Sequence, residues 1–367
     1  MRIGIDAASL VGDKGGVGWH TDHLLKALLA LDEKTDYVGY LRPGSLQAGQ
    51  LSGWPPTSGL RWIETPRWLM SWRGRWDRLD LYHGPNFKMH TTGRYGGIVT
   101  IHDLWLVRHP EYSRKLLGQA GSSKRAIATA NRARKVVTVS EFSAREIESL
   151  YGVPRDHVRV IHNGVSEEFT PLCNDQVRAE LRTRWSIPSA GFILFVGGAD
   201  PRKNHAGFLK AVAICRSQLG GRAVVLVGDA EHPQGSYGAT AQSLGLAQEV
   251  RCTGRLDREE LRKLYSCTDL FVFPSLYEGF GMPVLEAMAC GAPTITSSTS
   301  SLPEVAGDAA LLVDPDDVEG LAQAMVNIVS DADLQRNLRQ RGYERARLFT
   351  WQRAARSTSA LYHELCT

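Results

Sequence analysis

The fold is decided by the stretch Pro274-Ser-Leu-Tyr-Glu-Gly-Phe-Gly-Met-Pro-Val-Leu-Glu-Ala-Met-Ala-Cys-Gly-Ala-Pro293. It follows the apolar run Asp269-Leu-Phe-Val-Phe273 and precedes a second β-prone run at Thr294-Ile-Thr296. Two short apolar runs on either side of a helix-forming segment predict buried parallel strands joined by a helix. Similar units recur along the chain, so the sequence predicts an α/β protein.

The turn inside this stretch is built to approach a ligand. Gly279 and Gly281 let the backbone come close without a Cβ in the way, and Pro283 suits the first turn of the helix that follows. The N–H groups of that first turn favour an anion, but the helix dipole contributes only ~0.3–1 kcal/mol. A diphosphate would therefore need further positive charge.

Two glutamates stand eight residues apart in the same stretch. Glu278 precedes the helix, and Glu286 lies one turn inside it, roughly 6–8 Å further along the axis at ~1.5 Å per residue. This separation suits the two ends of one elongated ligand, such as the sugar and the ribose of a sugar nucleotide. By themselves, two glutamates at this spacing also fit a surface loop and a solvated helix face.

The whole motif resembles a known family. Glu278 to Glu286 resembles the E-x7-E motif of retaining glycosyltransferases with the GT-B fold, and Glu278 to Gly291 is very similar to glycosyltransferase family 4. The resemblance implies that Glu278 holds the donor sugar and stabilises an oxocarbenium-like transition state, while Glu286 binds the ribose. It also implies further donor contacts within the motif, from Gly279, Phe280, Gly281, Val284 and Leu285.

Length and charge bound the possibilities. A chain of 367 residues predicts two domains, and an apolar fraction of 43% can fill both cores. A net charge of +4 is too small to indicate nucleic acid and fits anionic substrates or an anionic membrane surface. We place the first domain at 1–170 and the second at 171–349, and we expect the final helix, about 350–367, to pack on the first.

The cysteines and the N-terminal residues indicate the cellular compartment of the protein. The six cysteines show no C-x-x-C pair and no zinc-like spacing, so we expect reduced and mostly buried thiols. A strand begins at Arg2, which leaves no room for a signal peptide, and no apolar run approaches the ~20 residues that span a bilayer. The sequence therefore predicts a cytoplasmic protein.

Two features of the first half are candidates for ligand contact. Gly15-Gly-Val-Gly18 lies between a strand and a helix, as in dinucleotide-binding proteins, but the full G-x-G-x-x-G is absent, so a nicotinamide or flavin site is only an alternative. His102 directly follows the strand Gly97–Ile101, at the end where parallel sheets bind ligands. A structural histidine bonded to Asp103 is the other interpretation. The family resemblance implies that Gly15 and Gly16 lie near the sugar and phosphate and that His102 approaches the sugar.

Paired cations open the second half. Arg202 and Lys203 follow the strand Phe192–Val196 and a glycine turn, with no acid opposite them within their motif. Charge-assisted hydrogen bonds of roughly 1.5–3 kcal/mol each would hold a diphosphate better than a helix dipole. The resemblance implies the same contact, and it places Arg255 and Leu256 against the nucleobase.

The segment 61–78 combines aromatic and basic residues. Four tryptophans alternate with five arginines, and Trp68, Trp72 and Trp76 have the spacing of one helical stripe. This pattern is typical of an interfacial segment that lies on anionic lipid, here at the inner face of the membrane. The alternative is that the tryptophans are core and the arginines a solvated rim.

No metal is expected. Asp314-Pro-Asp316 matches the D-x-D signature of the other large glycosyltransferase fold, but its position before an apolar helical run predicts a helix cap. Arg202, Lys203 and the helix start would take the place of a metal in stabilising a departing diphosphate.

Together these features predict the GT-B fold, with two Rossmann-like doubly wound domains facing across a cleft and a last helix that crosses back to the first domain. The resemblance implies retaining transfer of a hexose from a nucleotide sugar to a hydroxyl of a glycan or lipid-linked acceptor. His83-Gly-Pro-Asn86, His102-Asp-Leu-Trp105 and Arg108-His-Pro-Glu111 are most similar to bacterial mannosyltransferases of lipopolysaccharide or exopolysaccharide assembly. This similarity favours GDP-mannose as donor.

Three alternatives stay open. A UDP-glucose-dependent glucosyltransferase would use the same fold, and a sugar-nucleotide epimerase would turn over its nucleotide sugar without an acceptor. A basic module that binds membranes or nucleic acid would instead bind phosphate polymers in a salt-sensitive way and ignore sugar nucleotides. Nucleic acid is not the expected partner.

Overall fold

The computed structural model describes residues 1–12, 14–31, 34–46, 51, 54, 59–112, 119–229, 231–232 and 235–367. It divides into two compact units. The first unit comprises Met1–Gly164 and Thr350–Thr367, and the second comprises Val165–Phe349.

The first unit is built on a seven-stranded parallel sheet in the order β3-β2-β1-β4-β5-β6-β7. Its strands are β1 (Arg2–Asp6), β2 (Asp36–Leu41), β3 (Leu60–Glu64), β4 (Leu81–Gly84), β5 (Gly97–Ile101), β6 (Lys135–Thr138) and β7 (Val158–Val160). The central strands are buried on both faces because helices cover both sides, which explains their continuous apolar runs. The chain moves outward in opposite directions from β1 and β4, so the order of the strands reverses between them.

Among its described residues, the first unit has six α-helices: α1 (Gly16–Leu31), α2 (Met70–Trp76), α3 (Trp105–Arg108), α4 (Gln119–Arg132), α5 (Glu141–Tyr151) and α14 (Trp351–Cys366). The Ser140 hydroxyl accepts a hydrogen bond from the Ser143 amide and caps α5, as predicted. The last helix returns to this unit and packs along α1, as predicted. The helix predicted from about 113 begins at Gln119, and 113–118 lie outside the described residues.

The second unit has a six-stranded parallel sheet in the order β12-β9-β8-β13-β14-β15. Its strands are β8 (Phe192–Val196), β9 (Ala223–Val227), β12 (Val250–Gly254), β13 (Leu270–Phe273), β14 (Thr294–Ser297) and β15 (Leu311–Val313), and β10 (Glu231–His232) pairs with β11 (Gly235–Ser236) in a separate ribbon. Its helices are α6 (Asp175–Trp185), α7 (His205–Cys215), α8 (Tyr237–Ser243), α9 (Arg258–Cys267), α10 (Met282–Ala289), α11 (Leu302–Ala306), α12 (Val318–Ser330) and α13 (Ala332–Ala346).

The predicted thiol state is wrong for two cysteines. Cys173 and Cys267 form a disulfide, with their Cα atoms 5.3 Å apart. They are separated by 94 positions in the sequence, and they meet because Cys173 precedes α6, Cys267 ends α9, and these two helices pack together. Cys215 and Cys290 are buried free thiols.

The tryptophan stripe differs in detail from its prediction. The helix α2 begins at Met70, so Trp68 lies just before it instead of inside it. Trp68, Trp72 and Trp76 are 74%, 57% and 57% exposed, which contradicts a core position for all three. Trp62 has a different place, on β3 against Gly39. No helix in the part of the chain that the structure describes is both long enough and apolar enough to cross a membrane.

Candidate active site

The candidate site in the second unit lies where the sheet order reverses. β8 and β13 are neighbours, although β9 and β12 separate them along the chain. In such sheets, ligands bind beyond the carboxyl ends of the strands at the point of reversal. The loop after β8 carries Arg202 and Lys203, and the loop after β13 carries Glu278. The Leu276 amide donates to the Arg202 carbonyl at 2.9 Å and joins the two loops.

The glycine turn after β8 is held by close backbone packing. The Tyr237 hydroxyl donates to the Gly197 carbonyl. A Cβ on Gly228 would lie 2.0 Å from the same carbonyl, and Gly228 has a φ of 130°, so no other residue fits there without strain. The Asp200 carboxylate then accepts from the Arg202 amide at 2.9 Å and shapes the short 3-10 helix Pro201–Lys203. This scaffold fixes the direction of the two cations.

Glu278 lies between those cations. The Lys203 Nζ is 2.6 Å from the Glu278 Oε1, and the Arg202 Nη1 is 3.5 Å from the Glu278 Oε2. All three side chains are at least four-fifths buried. The sequence analysis found no acid opposite the cations within their motif, and the acid that pairs with them comes from 75 positions further on. Together with the Asp200 carboxylate at the Arg202 amide, the cluster contains two positive and two negative side chains.

Burial and the neighbouring charges affect the pKa values of both Glu278 and Lys203. Burial by itself would raise the pKa of Glu278, but the charges of Lys203 and Arg202 outweigh it and hold that pKa below its ordinary value. For Lys203, burial and then the nearby Arg202 charge lower the pKa, although Glu278 opposes them. Both pKa values are lowered, which favours the charged form of Glu278 and disfavours the charged form of Lys203, because one carboxylate serves two cations. Glu278 is therefore ionised at neutral pH.

The backbone around Glu278 is positioned by serines that the sequence analysis missed. The Glu278 amide donates to the Ser300 Oγ at 3.1 Å, and the Ser301 hydroxyl donates to the Glu278 carbonyl at 2.9 Å. Ser300 has a φ of 57°, which is unusual for a residue with a side chain. The signal available was the run of hydroxyl residues from Thr296 to Ser301, which begins within β14 and continues into the loop after it.

Glu286 lies on α10 and is in contact with α9. The Tyr265 hydroxyl donates to the Glu286 Oε2 at 3.3 Å. Burial raises the pKa of Glu286 to about 7, against the opposing effects of Arg258 and the Tyr265 hydrogen bond. The carboxyl is therefore poised between its two protonation states at neutral pH.

This raised pKa predicts a pH-dependent stability. The native Glu286 keeps its proton up to about pH 7, whereas an ordinary carboxyl loses it near 4.5. The unfolded chain therefore binds fewer protons in that window, and the free energy of unfolding should fall by up to ~3 kcal/mol as the pH rises through it. Glu286→Gln should lack that decline in thermal or denaturant unfolding between pH 4.5 and 8. Glu259→Gln, at an exposed position on α9, is the matched control, and parallel curves for all three proteins would contradict the prediction.

His102 belongs to the first unit. Its Nε2 lies 2.8 Å from the Pro85 carbonyl oxygen, which can only accept, so Nε2 carries the proton. Burial lowers the pKa of His102, which leaves the ring neutral with Nδ1 as an acceptor. The alternative of a histidine bonded to Asp103 is wrong in its partner, since the Asp103 carboxylate accepts from the Trp105 amide.

Two further histidines lie close to His102, and the sequence did not single them out as a group. The His20 ring on α1 meets the His102 ring edge-on at 4.6 Å, and its Nδ1 is 2.8 Å from the Asn163 Oδ1. His83 on β4 bonds to the Tyr362 hydroxyl at 2.7 Å, and burial lowers its pKa to about 3. These residues come from distant parts of the chain, so no local spacing revealed them.

The remaining glycines of the prediction have different environments. Gly15 and Gly16 are exposed at the start of α1, and a Cβ at either would meet no atom of the described residues within 4 Å. Gly18 is the constrained one in that loop, since its Cβ would lie 2.6 Å from the Ser9 carbonyl oxygen. Gly281 has a φ of 102° and a Cβ there would lie 2.6 Å from Leu302, so the start of α10 requires glycine.

The other predicted donor contacts stay predictions. Gly279 and Phe280 are buried, and Val284 and Leu285 are fully enclosed in the core. Arg255 follows β12 and forms two 2.7 Å bonds with the Asp229 carboxylate at the surface. Leu256 beside it is half-buried.

The D-x-D segment has a structural role close to the expected one. The Asp314 carboxylate accepts from the Asp316 amide, but the residue that caps α12 is the next one, Asp317. The predicted cap was therefore misplaced by one position. Among the described residues, no three His, Cys, Asp or Glu side chains are grouped as ligands for a metal ion.

Comparison with known proteins matches both halves of the chain to glycosyltransferase families. Residues 14–169 match the model for Glycosyltransferase Family 4, and residues 177–345 match the model for Glycosyl transferases group 1. The chain is 31% identical over 306 residues to the O-antigen chain mannosyltransferase B of Escherichia coli, which covers 82% of this chain and 79% of that protein. It is also 32% identical over 233 residues to the serotype-specific mannosyltransferase WbdA of Escherichia coli, covering 28% of that longer protein.

Solved structures show the same fold at low identity. Sucrose-phosphate synthase from Thermosynechococcus elongatus aligns with a TM-score of 0.77 at 22% identity, covering 99% of this chain and 98% of that one. The WaaG glycosyltransferase of lipopolysaccharide biosynthesis aligns with a TM-score of 0.75 at 14% identity, and HepE of Anabaena in complex with UDP and glucose with 0.77 at 18%, each covering 99% of both chains. The fold predicted from the sequence is confirmed, and the chain belongs to the GT-B glycosyltransferases of family 4.

Proposed function

We propose that this glycosyltransferase moves mannose from GDP-mannose to a hydroxyl of a glycan acceptor, with retention of configuration, in the assembly of a bacterial surface polysaccharide. The observation that carries the proposal is the buried carboxylate of Glu278 held by Lys203 and Arg202 where the sheet order reverses. The identity with the O-antigen mannosyltransferase favours mannose.

The ion cluster suggests how donor binding prepares the site. A diphosphate entering beside Lys203 and Arg202 competes with Glu278 for the same cations. As the phosphates take over those contacts, the Glu278 carboxylate becomes available to the hydroxyls of the transferred sugar. Glu286, further along the motif, would accept hydroxyl hydrogens from the ribose. Donor binding thereby replaces the ion pairs that Glu278 forms with Lys203 and Arg202 by ion pairs between the diphosphate and the same two cations.

Transfer then breaks the bond between the sugar C1 and the diphosphate oxygen and forms a bond from C1 to the acceptor oxygen. Arg202 and Lys203 stabilise the charge that develops on the departing diphosphate, which is the part a metal plays in other transferases, so we propose that no metal is required. In same-face return the acceptor proton passes to a diphosphate oxygen, and no protein nucleophile is assigned. His102, neutral with Nδ1 as acceptor, would orient a sugar hydroxyl.

A thermal-shift panel of GDP-mannose, GDP, UDP-glucose, UDP and NAD tests the donor. A ligand at ~100 times its dissociation constant adds about 2.7 kcal/mol to the free energy of unfolding. We expect stabilisation by GDP-mannose and GDP, and an NMR assay of the product should show the retained anomer. Stabilisation by UDP-glucose and UDP alone would identify the glucosyltransferase alternative. We retain this alternative because HepE, which has the same fold, was solved in complex with UDP and glucose. Conversion of the nucleotide sugar without acceptor would identify an epimerase.

We also propose that an indole surface, formed by Trp68, Trp72 and Trp76, rests on an anionic bilayer. The Trp72 and Trp76 rings stack 6.5 Å apart at the surface. Among the five arginines of the segment, Arg61 and Arg73 pair with Asp77, whereas within the described residues Arg67, Arg75 and Arg78 have no ion-pair partner. Exposed indoles beside unneutralised guanidinium groups suit the boundary between anionic head groups and acyl chains.

Replacing the three tryptophans of the indole surface with serine should lower partition onto phosphatidylglycerol-containing vesicles by about tenfold or more, because indole burial in the interface is lost. The measurement is vesicle co-sedimentation at low and moderate salt. Leu348→Ser, at an exposed apolar position in the second unit, is the matched control. Equal partition of the triple variant and the unmodified protein would contradict the proposal.

A further inference from the structure

A polar pocket lies in the second unit, at the edge of the sheet opposite to the candidate active site. It has a volume of about 510 Å³. Ala223 begins β9, Glu249 directly precedes β12, and both residues line the pocket. The strands of this sheet are parallel, so the length of a strand separates their amino edge from the loops of Lys203 and Glu278. That length is about 16 Å for the five residues of β9, at ~3.3 Å per residue. The pocket is therefore distinct from the candidate active site.

Three arginines line this pocket, against a single carboxylate among its described lining residues. The arginines are Arg216, Arg222 and Arg251, and the carboxylate is Glu249. Arg216 forms an ion pair with Glu249, and Arg222 forms one with Asp269, which directly precedes β13. Within the described residues, Arg251 has no ion-pair partner. Three guanidinium groups and two carboxylates therefore leave one positive charge in excess.

Arg222 is held in position by the protein itself. Its Nε donates to the Asp269 Oδ2 and its Nη1 to the Leu219 carbonyl, both at 3.0 Å. The chain turns between Leu219 and Arg222 through Gly220 and Gly221, whose φ values of 63° and 75° favour glycine. The Arg222 side chain is 20% exposed. Because a guanidinium has five N–H donors, these two bonds leave further donors for a ligand.

Arg251 is fixed without being neutralised. Its Nη1 donates to the Gln248 carbonyl at 2.7 Å and to the Val250 carbonyl at 3.1 Å. These bonds hold the guanidinium at the start of β12 and leave its charge uncompensated. An anion that enters the pocket would therefore meet a cation that has no carboxylate to give up.

The base of the pocket is apolar. Val212, Leu219 and Val224 line it and belong to the buried core of the second unit. Ligand sites commonly combine an apolar surface with a few convergent polar groups, in a cavity of roughly 300–1,000 Å³. This combination suits a small organic anion better than an inorganic ion, because an inorganic ion would leave the apolar base uncovered.

We infer that this pocket binds a small phosphate ester that is neither the sugar donor nor the acceptor. Arg251 and Arg222 would bind the phosphate oxygens through charge-assisted hydrogen bonds, and the organic group would cover the apolar base. A soluble sugar phosphate and a lipid head group both offer this chemistry. The described lining residues include no aromatic side chain, which interfacial sites typically have, so the pocket favours the soluble ester.

Isothermal titration with mannose 1-phosphate tests the inference, with the donor site kept filled by saturating GDP. We expect one further site per chain, with a dissociation constant at least about tenfold below that for methyl mannoside, which has the sugar but no phosphate. Arg251→Ala should weaken the binding of mannose 1-phosphate by about tenfold or more and leave the GDP affinity unchanged. Arg347→Ala, at an exposed position just after α13, is the matched control and should keep the full affinity.

Arg222→Lys provides a second variant, because it keeps a positive charge beside Asp269 but loses the planar fork that matches a phosphate, and it should also weaken binding. Binding of mannose 1-phosphate only without GDP, or equal affinity in the Arg251 and Arg347 variants, would overturn the inference. Displacement of the sugar phosphate by phosphatidylglycerol vesicles but not by inorganic phosphate would overturn the soluble source.

The test can also be run without GDP. The variant Lys203→Met, Glu278→Gln lacks one of the two donor-site cations, and it should still bind mannose 1-phosphate with the affinity that the unmodified protein shows in the presence of GDP. A protein that fails to bind GDP but binds mannose 1-phosphate through Arg251 would count against the proposed function and in favour of this pocket. Loss of mannose 1-phosphate binding in the Lys203 and Glu278 variant would count against the pocket.

Discussion

Replacing Lys203 with alanine is expected to raise the dissociation constant for the nucleotide sugar by about ten- to a hundredfold. The reason is the loss of one charge-assisted hydrogen bond to the diphosphate, worth roughly 1.5–3 kcal/mol in a largely buried site. Turnover should fall as well, because the same charge stabilises the departing diphosphate. Isothermal titration with GDP and with GDP-mannose, combined with initial-rate kinetics, measures both effects.

The Lys203 variant requires a control for folding. Its removal takes away the shorter ion pair of the buried Glu278 and leaves the longer contact to Arg202 at 3.5 Å, and breaking a buried pair typically costs roughly 3–5 kcal/mol. The double variant Lys203→Met, Glu278→Gln removes both charges and should recover most of that stability without recovering donor affinity. Lys210→Ala, at an exposed position on α7, should behave like the unmodified protein. Unchanged GDP affinity in Lys203→Ala would contradict the assignment of the cations.

Replacing Glu278 with glutamine should change GDP affinity and turnover in opposite directions. In the proposed mechanism the carboxylate, which pairs with Lys203, competes with the diphosphate for that cation, so the affinity for GDP should rise when the charge of Glu278 is removed. Turnover should nevertheless fall by about a hundred- to a thousandfold, since removal of one electrostatic interaction with a transition state has effects of that size. Titration with GDP and measurement of kcat on the same preparation test both parts.

Glu286→Gln provides the comparison, because it makes the same chemical change eight residues further along the motif. There we expect weaker donor binding, since a neutral amide accepts hydrogen bonds from the ribose hydroxyls less strongly than a carboxylate does. A fall in GDP affinity in both glutamine variants would contradict the competition between Glu278 and the diphosphate. Gain of affinity in the Glu278 variant alone is the result that the ion cluster predicts.

Much of the fold follows from local pattern. The strand, glycine turn and helix around Glu278 were predicted from apolar runs and turn residues, and Ser140 was predicted as a cap from its place before a helix. These features depend on neighbours within a few positions, where steric and hydrogen-bonding preferences act directly. The roles of the site residues came mainly from the resemblance to glycosyltransferase family 4.

Their arrangement depended on contacts between distant segments. Lys203 meets Glu278 because β8 and β13 are adjacent in the sheet, although two other strands of that sheet separate them in the chain. The disulfide between Cys173 and Cys267 follows from the packing of α6 on α9, which no cysteine spacing encodes. Trp68 falls outside α2 because the chain forms a turn at 67–69 before the helix begins. The spacing of the tryptophans does not show at which residue the helix begins.

The hydrogen bond from the Leu276 amide to the Arg202 carbonyl links the segment of the two cations, our proposed diphosphate contacts, to the segment that carries Glu278. A displacement of either segment is transmitted to the other through this main-chain link. Occupancy by a nucleoside diphosphate alone would then hold the carboxylate in its working register before any sugar is present. Release of the nucleoside diphosphate would then require both segments to move together. We therefore expect product release to be the slow step of each cycle.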